Sequence, residues 1–89
     1  MHVTIHTAAL TNDDVSISNA AAEAVRMSFN PSKVPAVDRL KALAAAFLSA
    51  CDEVAGAPNA SGRPVGRECA VAKTHIETAA MWAVKAATS

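Results

Sequence analysis

Two long stretches of helical periodicity, separated by a short segment rich in glycine, proline, asparagine and serine, restrict this chain to few folds. From Pro35 to about Ala55, the apolar residues Val37, Leu40, Ala44, Phe47, Cys51 and Val54 recur at alternating spacings of three and four. Leu43 and Leu48 widen that stripe, while Asp38, Lys41, Ser49, Asp52 and Glu53 take the other side and read as its solvent face. Residues 67–88 carry a second pattern. At 100° per residue, Val71, Ala72, His75, Ile76, Ala79, Trp82, Ala83 and Ala86 fall on one arc, and Arg67, Thr74, Thr78 and Lys85 line up opposite. Two rods of roughly 30 Å joined by so short a connection fold back as an antiparallel hairpin.

Ahead of the hairpin the signals are weaker. Thr11-Asn12-Asp13-Asp14 combines cap residues with carboxylates suited to a first helical turn, which predicts a helix over 12–28 with Ile17, Ala20, Ala21, Ala24 and Met27 inward. Residues 1–10 alternate briefly at Val3 and Ile5 and read as an extended arm. Two prolines four apart, Pro31 and Pro35, break the chain between the first helix and the next. The expected architecture is therefore all-α in a single domain of 89 residues: arm 1–10, helix 12–28, helix 34–55, loop 56–66 and helix 67–88.

Composition bears on how such a fold holds together. Hydrophobic residues make up 52% of the chain but aromatics only 3%, because alanine supplies about a quarter. Alanine favours helix yet buries little surface, and a chain this short is marginal alone. Close helix packing between several copies is the expected remedy, so a homo-oligomer is predicted. Eight basic residues balance eight acidic ones, which argues against DNA as a partner. No apolar run approaches a membrane span, and no signal peptide is evident. Cys51 and Cys69, two cysteines without CxxC spacing, read as buried reduced thiols in a cytoplasmic protein.

The chemistry-bearing residues point to binding. His2 and His6 stand on a segment that alternates like a strand, with no third metal ligand near, and His75 and Trp82 lie on the apolar arc as packing residues. No metal site, cofactor motif or catalytic constellation is expected: Gly56, Gly62 and Gly66 form no phosphate loop, and no base stands by either cysteine. The connector Asn30-Pro31-Ser32-Lys33 is more suggestive. As a helix start it offers amides, a hydroxyl and an ammonium, all favourable to phosphate, and Phe29 beside it would stack on a base.

Three blocks, read in order, resemble a known family. They are Phe29-Asn30-Pro31-Ser32, the run Val37-Asp38-Arg39-Leu40-Lys41-Ala42-Leu43-Ala44, and the stretch from Ala72-Lys73-Thr74-His75-Ile76-Glu77 to Met81-Trp82-Ala83-Val84-Lys85. The family is the bacteriophage anti-CBASS sponge for cyclic oligonucleotide signals, whose helical hairpin is related to that of phage anti-Thoeris sponges. The resemblance implies a short first helix and a long hairpin assembled as a hexamer in the infected bacterium. It also implies that cyclic dinucleotides and trinucleotides are held in separate pockets, uncleaved, so that the CBASS effector lacks its signal. Carried onto this chain, it places Arg26, Phe29, Asn30, Pro31, Ser32 and Lys33 at the cyclic-dinucleotide pocket, and Arg67 with Thr74 at the cyclic-trinucleotide pocket. Relatives stack a base on a first-helix tyrosine, and this chain has no tyrosine.

Two other functions compete. A helical adaptor would bind a protein partner through the wide alanine face and leave Lys33 and Arg67 dispensable. A phosphodiesterase would destroy the signal, but the sequence offers it neither metal ligands nor a base.

Overall fold

In a computed structural model describing residues 1–10, 12–57, 62 and 64–89, the chain runs β1 (His2–Ile5), β2 (Asp13–Ser16), α1 (Asn19–Ala24), α2 (Pro35–Gly56) and α3 (Gly66–Ala87). The hairpin stands as its apolar periodicity requires, with both helix boundaries within one residue of those expected. Pro35 opens α2 at a position where its missing N–H is no loss, and Asp38 complements the dipole in the first turn. Across the hairpin, the Lys73 ammonium lies 2.7 Å from an Asp52 carboxylate oxygen. Of the expected loop 56–66, Pro58, Asn59, Ala60, Ser61 and Arg63 lie outside the described residues.

The expectation of an all-α chain needs correction. Residues 12–28 do not form one helix: Asp13–Ser16 is a strand, paired antiparallel with β1 in the register Val3↔Val15, and α1 spans only Asn19–Ala24. The carboxylates of Asp13 and Asp14 project from a strand that buries only Val15, and the Asp14 carboxylate accepts the Thr4 hydroxyl at 2.6 Å. Burial of the β-branched Val15 and pairing with β1 outweigh the cap signal there. Asn12, read as part of a helix cap, instead adopts left-handed backbone at φ 56° just before β2; Thr11 lies outside the described residues. The true cap is Ser18, whose hydroxyl accepts the Ala21 amide at 3.1 Å.

The core gathers where α1 crosses α2, at Ala21, Val25, Ala45 and Leu48, with Ile17, Met27, Ala44 and Ile76 packed against it. Leu48 is 1% exposed. The solvent face expected for α2 is also corrected, because Lys41 and Ser49 are buried. Ser49 donates to the Ala45 carbonyl and accepts the Ser18 amide at 3.2 Å, so it anchors the entry of α1 onto α2.

On α3 the inward seam is rotated from the expected arc. Cys69 is buried and Ile76, Ala80, Ala83 and Val84 are half-buried, whereas Val71, His75, Ala79, Trp82 and Ala86 face outward. Trp82 is 65% exposed, with the Lys85 ammonium 4.8 Å from its ring centre. Leu43, Phe47 and Val54 are likewise exposed along α2.

Candidate functional site

The connector between α1 and α2 is built around an unusual helix ending. The Met27 amide donates to the Ala22 carbonyl at 2.9 Å and the Arg26 amide to the Glu23 carbonyl at 3.0 Å. These are the two bonds of a Schellman cap, in which the residue at the Arg26 position must adopt left-handed backbone and is most often glycine. Here it is arginine, at φ 54°. Its guanidinium stacks 4.6 Å from the centre of the Phe29 ring, which is 53% exposed.

Lys41 reaches this turn from beneath. Its ammonium donates to the Arg26 carbonyl at 2.8 Å and to the Phe29 carbonyl, and lies 5.6 Å from the Phe29 ring centre. The residue is 6% exposed. Periodicity alone assigned it to the solvent, and the available sign was its place between two core positions, Val37 and Ala45, on one face of α2.

The second half of the connector is closed by Asn30. Its amide nitrogen donates to the Val34 carbonyl at 2.9 Å and to Asp38 Oδ1 at 3.0 Å, while its Oδ1 accepts the Val34 amide. Asn30 therefore clips the start of α2. Several of the amides expected to meet phosphate are engaged within the chain: Lys33 donates to the Asn30 carbonyl, Val34 to Asn30 Oδ1 and Val37 to the Val34 carbonyl, and Pro35 has no N–H. Pro31, Ser32 and Lys33 are exposed, and Lys33 is again left-handed at φ 52°.

Two clefts meet at Arg26. One, of about 640 Å³, is lined by Met1, Ala22, Glu23, Arg26, Met27, Ser28 and Phe29. The other, of about 460 Å³, lies between the helices and is walled by Val25, Lys41, Glu77, Ala80, Met81 and Val84 besides Arg26. Arg67 and Thr74 are not part of either. Both are exposed on α3, and the Thr74 hydroxyl donates to the Ala70 carbonyl at 3.1 Å. Arg67 stands in the first turn of α3, at the loop end of an antiparallel hairpin, whereas the connector is at the other end, about 30 Å away along α2. Within one chain the two groups of residues cannot share a small ligand.

Near the loop end, Cys51 and Cys69 are free thiols lining one apolar cleft. Burial, then the neighbouring Cys69 and Asp52, hold the Cys51 thiol above its ordinary value. Hydrogen bonding to Asp52 raises Lys73 likewise. Among the described residues no group of three or more His, Cys, Asp and Glu side chains is placed to hold a metal ion, and no helix is long and apolar enough to cross a membrane.

A family model described as "Acb2/Tad1, hairpin domain" matches residues 19–88. The chain belongs to this family. The Acb2/Tad1 hairpin begins at Asn19, the first residue of α1, so it takes in the Schellman turn, the connector and both long helices and leaves the two strands outside. No curated protein and no solved structure matches the chain.

Proposed function

We propose that this protein is a phage anti-defence sponge that binds cyclic di- and trinucleotide second messengers, holds them uncleaved and so blocks activation of the CBASS effector. Membership of the Acb2/Tad1 hairpin family is consistent with a nucleotide-sponge role. The observation that carries the reading is the exposed pairing of the Arg26 guanidinium with the Phe29 ring at the mouth of a cleft. A cation and an aromatic plane side by side match the two parts of a nucleotide, its phosphate and its base.

In this reading Arg26 and Lys33 hold phosphate at the dinucleotide pocket, Phe29 stacks on a base, and Pro31 and Ser32 border it. Asn30 contributes by fixing the connector. Arg67 and Thr74 serve the trinucleotide at the far end of the hairpin. A cyclic dinucleotide has two phosphates in approximate two-fold symmetry and a trinucleotide has three, so a symmetric homo-oligomer presents each side chain once per repeat of the ligand. The exposed apolar edge of α2, Leu43, Phe47 and Val54, supports such an assembly, which we take to be a hexamer, and Val71 and Trp82 are further exposed apolar residues on α3. Working in the host cytoplasm, a sponge must bind below the signal's concentration; nanomolar affinity corresponds to about −12 kcal/mol.

The same apolar edge favours a second reading, an adaptor that docks on another protein. Calorimetric titration with cyclic dinucleotides and cyclic trinucleotides separates the two. The sponge binds both classes, with Lys33→Ala losing the first and Arg67→Ala the second. An adaptor binds neither, and wild-type affinity in both variants would refute the site assignment.

A further inference from the structure

We propose that Lys41 is the positioning residue of the dinucleotide site, fixing the backbone from which Arg26 and Phe29 present their side chains. The inference rests on the sponge reading and concerns a residue that touches no ligand in it.

Packing alone does not explain a lysine here. Its neighbours on the inner face of α2 are Val37, Ala45 and Leu48, and an apolar residue would continue that face without the cost of desolvating an ammonium. Among the described residues, no carboxylate lies within ion-pair distance of Lys41. Its charge is met by two backbone carbonyls, those of Arg26 and Phe29, the residues forming the cation–aromatic pair above it. One buried side chain thus ties together the two ends of the presented pair.

The Arg26 backbone needs such a tie. Left-handed conformation is unfavourable for a residue with a Cβ, and it persists only where the surroundings over-determine it. One Schellman bond is made by the Arg26 amide and the other by the Met27 amide that follows it, while the Arg26 carbonyl accepts both the Phe29 amide at 2.9 Å and the Lys41 ammonium at 2.8 Å. Without Lys41 the turn retains its helix cap and the bond from the Phe29 amide to the Arg26 carbonyl, 2.9 Å, but loses the ammonium that draws the Arg26 and Phe29 carbonyls onto one point and so sharpens how Arg26 is set against Phe29. Ligand binding must then supply the ordering, and affinity falls.

The test is the ligand-class split. Lys41→Met retains length and bulk and removes both bonds, so it is expected to fold with unchanged helical circular dichroism. Calorimetry should find cyclic dinucleotide bound at least tenfold more weakly and cyclic trinucleotide, held at the other end of the hairpin, within twofold of wild type. Lys41→Gln, which replaces the ammonium by a neutral amide on a shorter stem and so weakens both bonds, is read the same way should the methionine variant fail to fold. Wild-type dinucleotide affinity in a folded variant overturns the proposal. Equal loss of both ligands also overturns it, because that is the mark of a general structural role. If the unmutated protein binds neither ligand, the sponge reading itself fails, an outcome distinct from either.

Discussion

The ammonium of Lys41 lies 2.8 Å from the backbone carbonyl of Arg26, whose own guanidinium is stacked on the Phe29 ring. A buried cation thus supports the backbone of an exposed one. The two are not redundant: the first is bonded to the carbonyls of the turn and the second faces solvent, where the proposed dinucleotide would meet it.

Left-handed backbone at Lys33 implies a conflict between stability and binding. Lys33→Gly relieves the conformation, partly offset by a more flexible unfolded chain, and is expected to stabilise by about 0.5–1 kcal/mol, or roughly 3–6 °C in Tm. The same change removes the ammonium proposed to hold phosphate and should abolish dinucleotide binding. Differential scanning calorimetry with and without ligand measures both; a fall in Tm would contradict the strain argument.

Ser49 is expected to matter more than its size suggests. In Ser49→Ala the Ser18 amide loses its acceptor where β2 passes into α1. A loss of about 1–2 kcal/mol follows, seen as a lower midpoint in urea at unchanged slope. A neutral result would mean that water replaces the hydroxyl.

How much of this was legible beforehand depends on how far each signal is local. The hairpin was, because α2 and α3 each repeat an apolar spacing over 22 residues, enough for periodicity to outweigh any single residue. The sheet was not. Four-residue strands carry too little pattern, and the Asn12-Asp13-Asp14 cap signal was stronger on paper than one buried Val15. Of the candidate site, Arg26, Phe29, Asn30 and Lys33 were all named, yet their arrangement was invisible: nothing local states that Arg26 would occupy a glycine position of a Schellman turn. Lys41 was misplaced for a related reason. Hydropathy sends a lysine to solvent, and only the fold reveals two carbonyls waiting beneath a neighbouring turn. The outward turn of Trp82 was hidden as well, because a helical arc says which residues are apolar but not which helix covers them.

The exposed edge of α2 gives a test of assembly. Phe47 and Leu43 lie outward, so Phe47→Glu should leave helix content intact while placing charge in the proposed contact between copies. Sedimentation velocity is expected to show a single small species for the variant and a larger one for the wild type. A wild-type monomer at micromolar concentration would remove the oligomer from the account.

Cys51 provides a check on the loop end. Burial, with Cys69 and Asp52 nearby, holds its thiol above the ordinary value, so little thiolate exists at neutral pH. Alkylation by iodoacetamide should be slow at pH 7 and should accelerate with a midpoint above that of a free cysteine peptide. Rapid labelling of Cys51 at pH 7 would contradict the raised thiol.

The central claim is retention without cleavage. Protein is mixed with a slight excess of cyclic dinucleotide, freed of unbound ligand by gel filtration and heat-denatured, and the supernatant is examined by mass spectrometry. Intact cyclic dinucleotide, recovered in proportion to protein and absent from the Lys33→Ala sample, is the predicted result; linear product, or no nucleotide carried through the column, would contradict it.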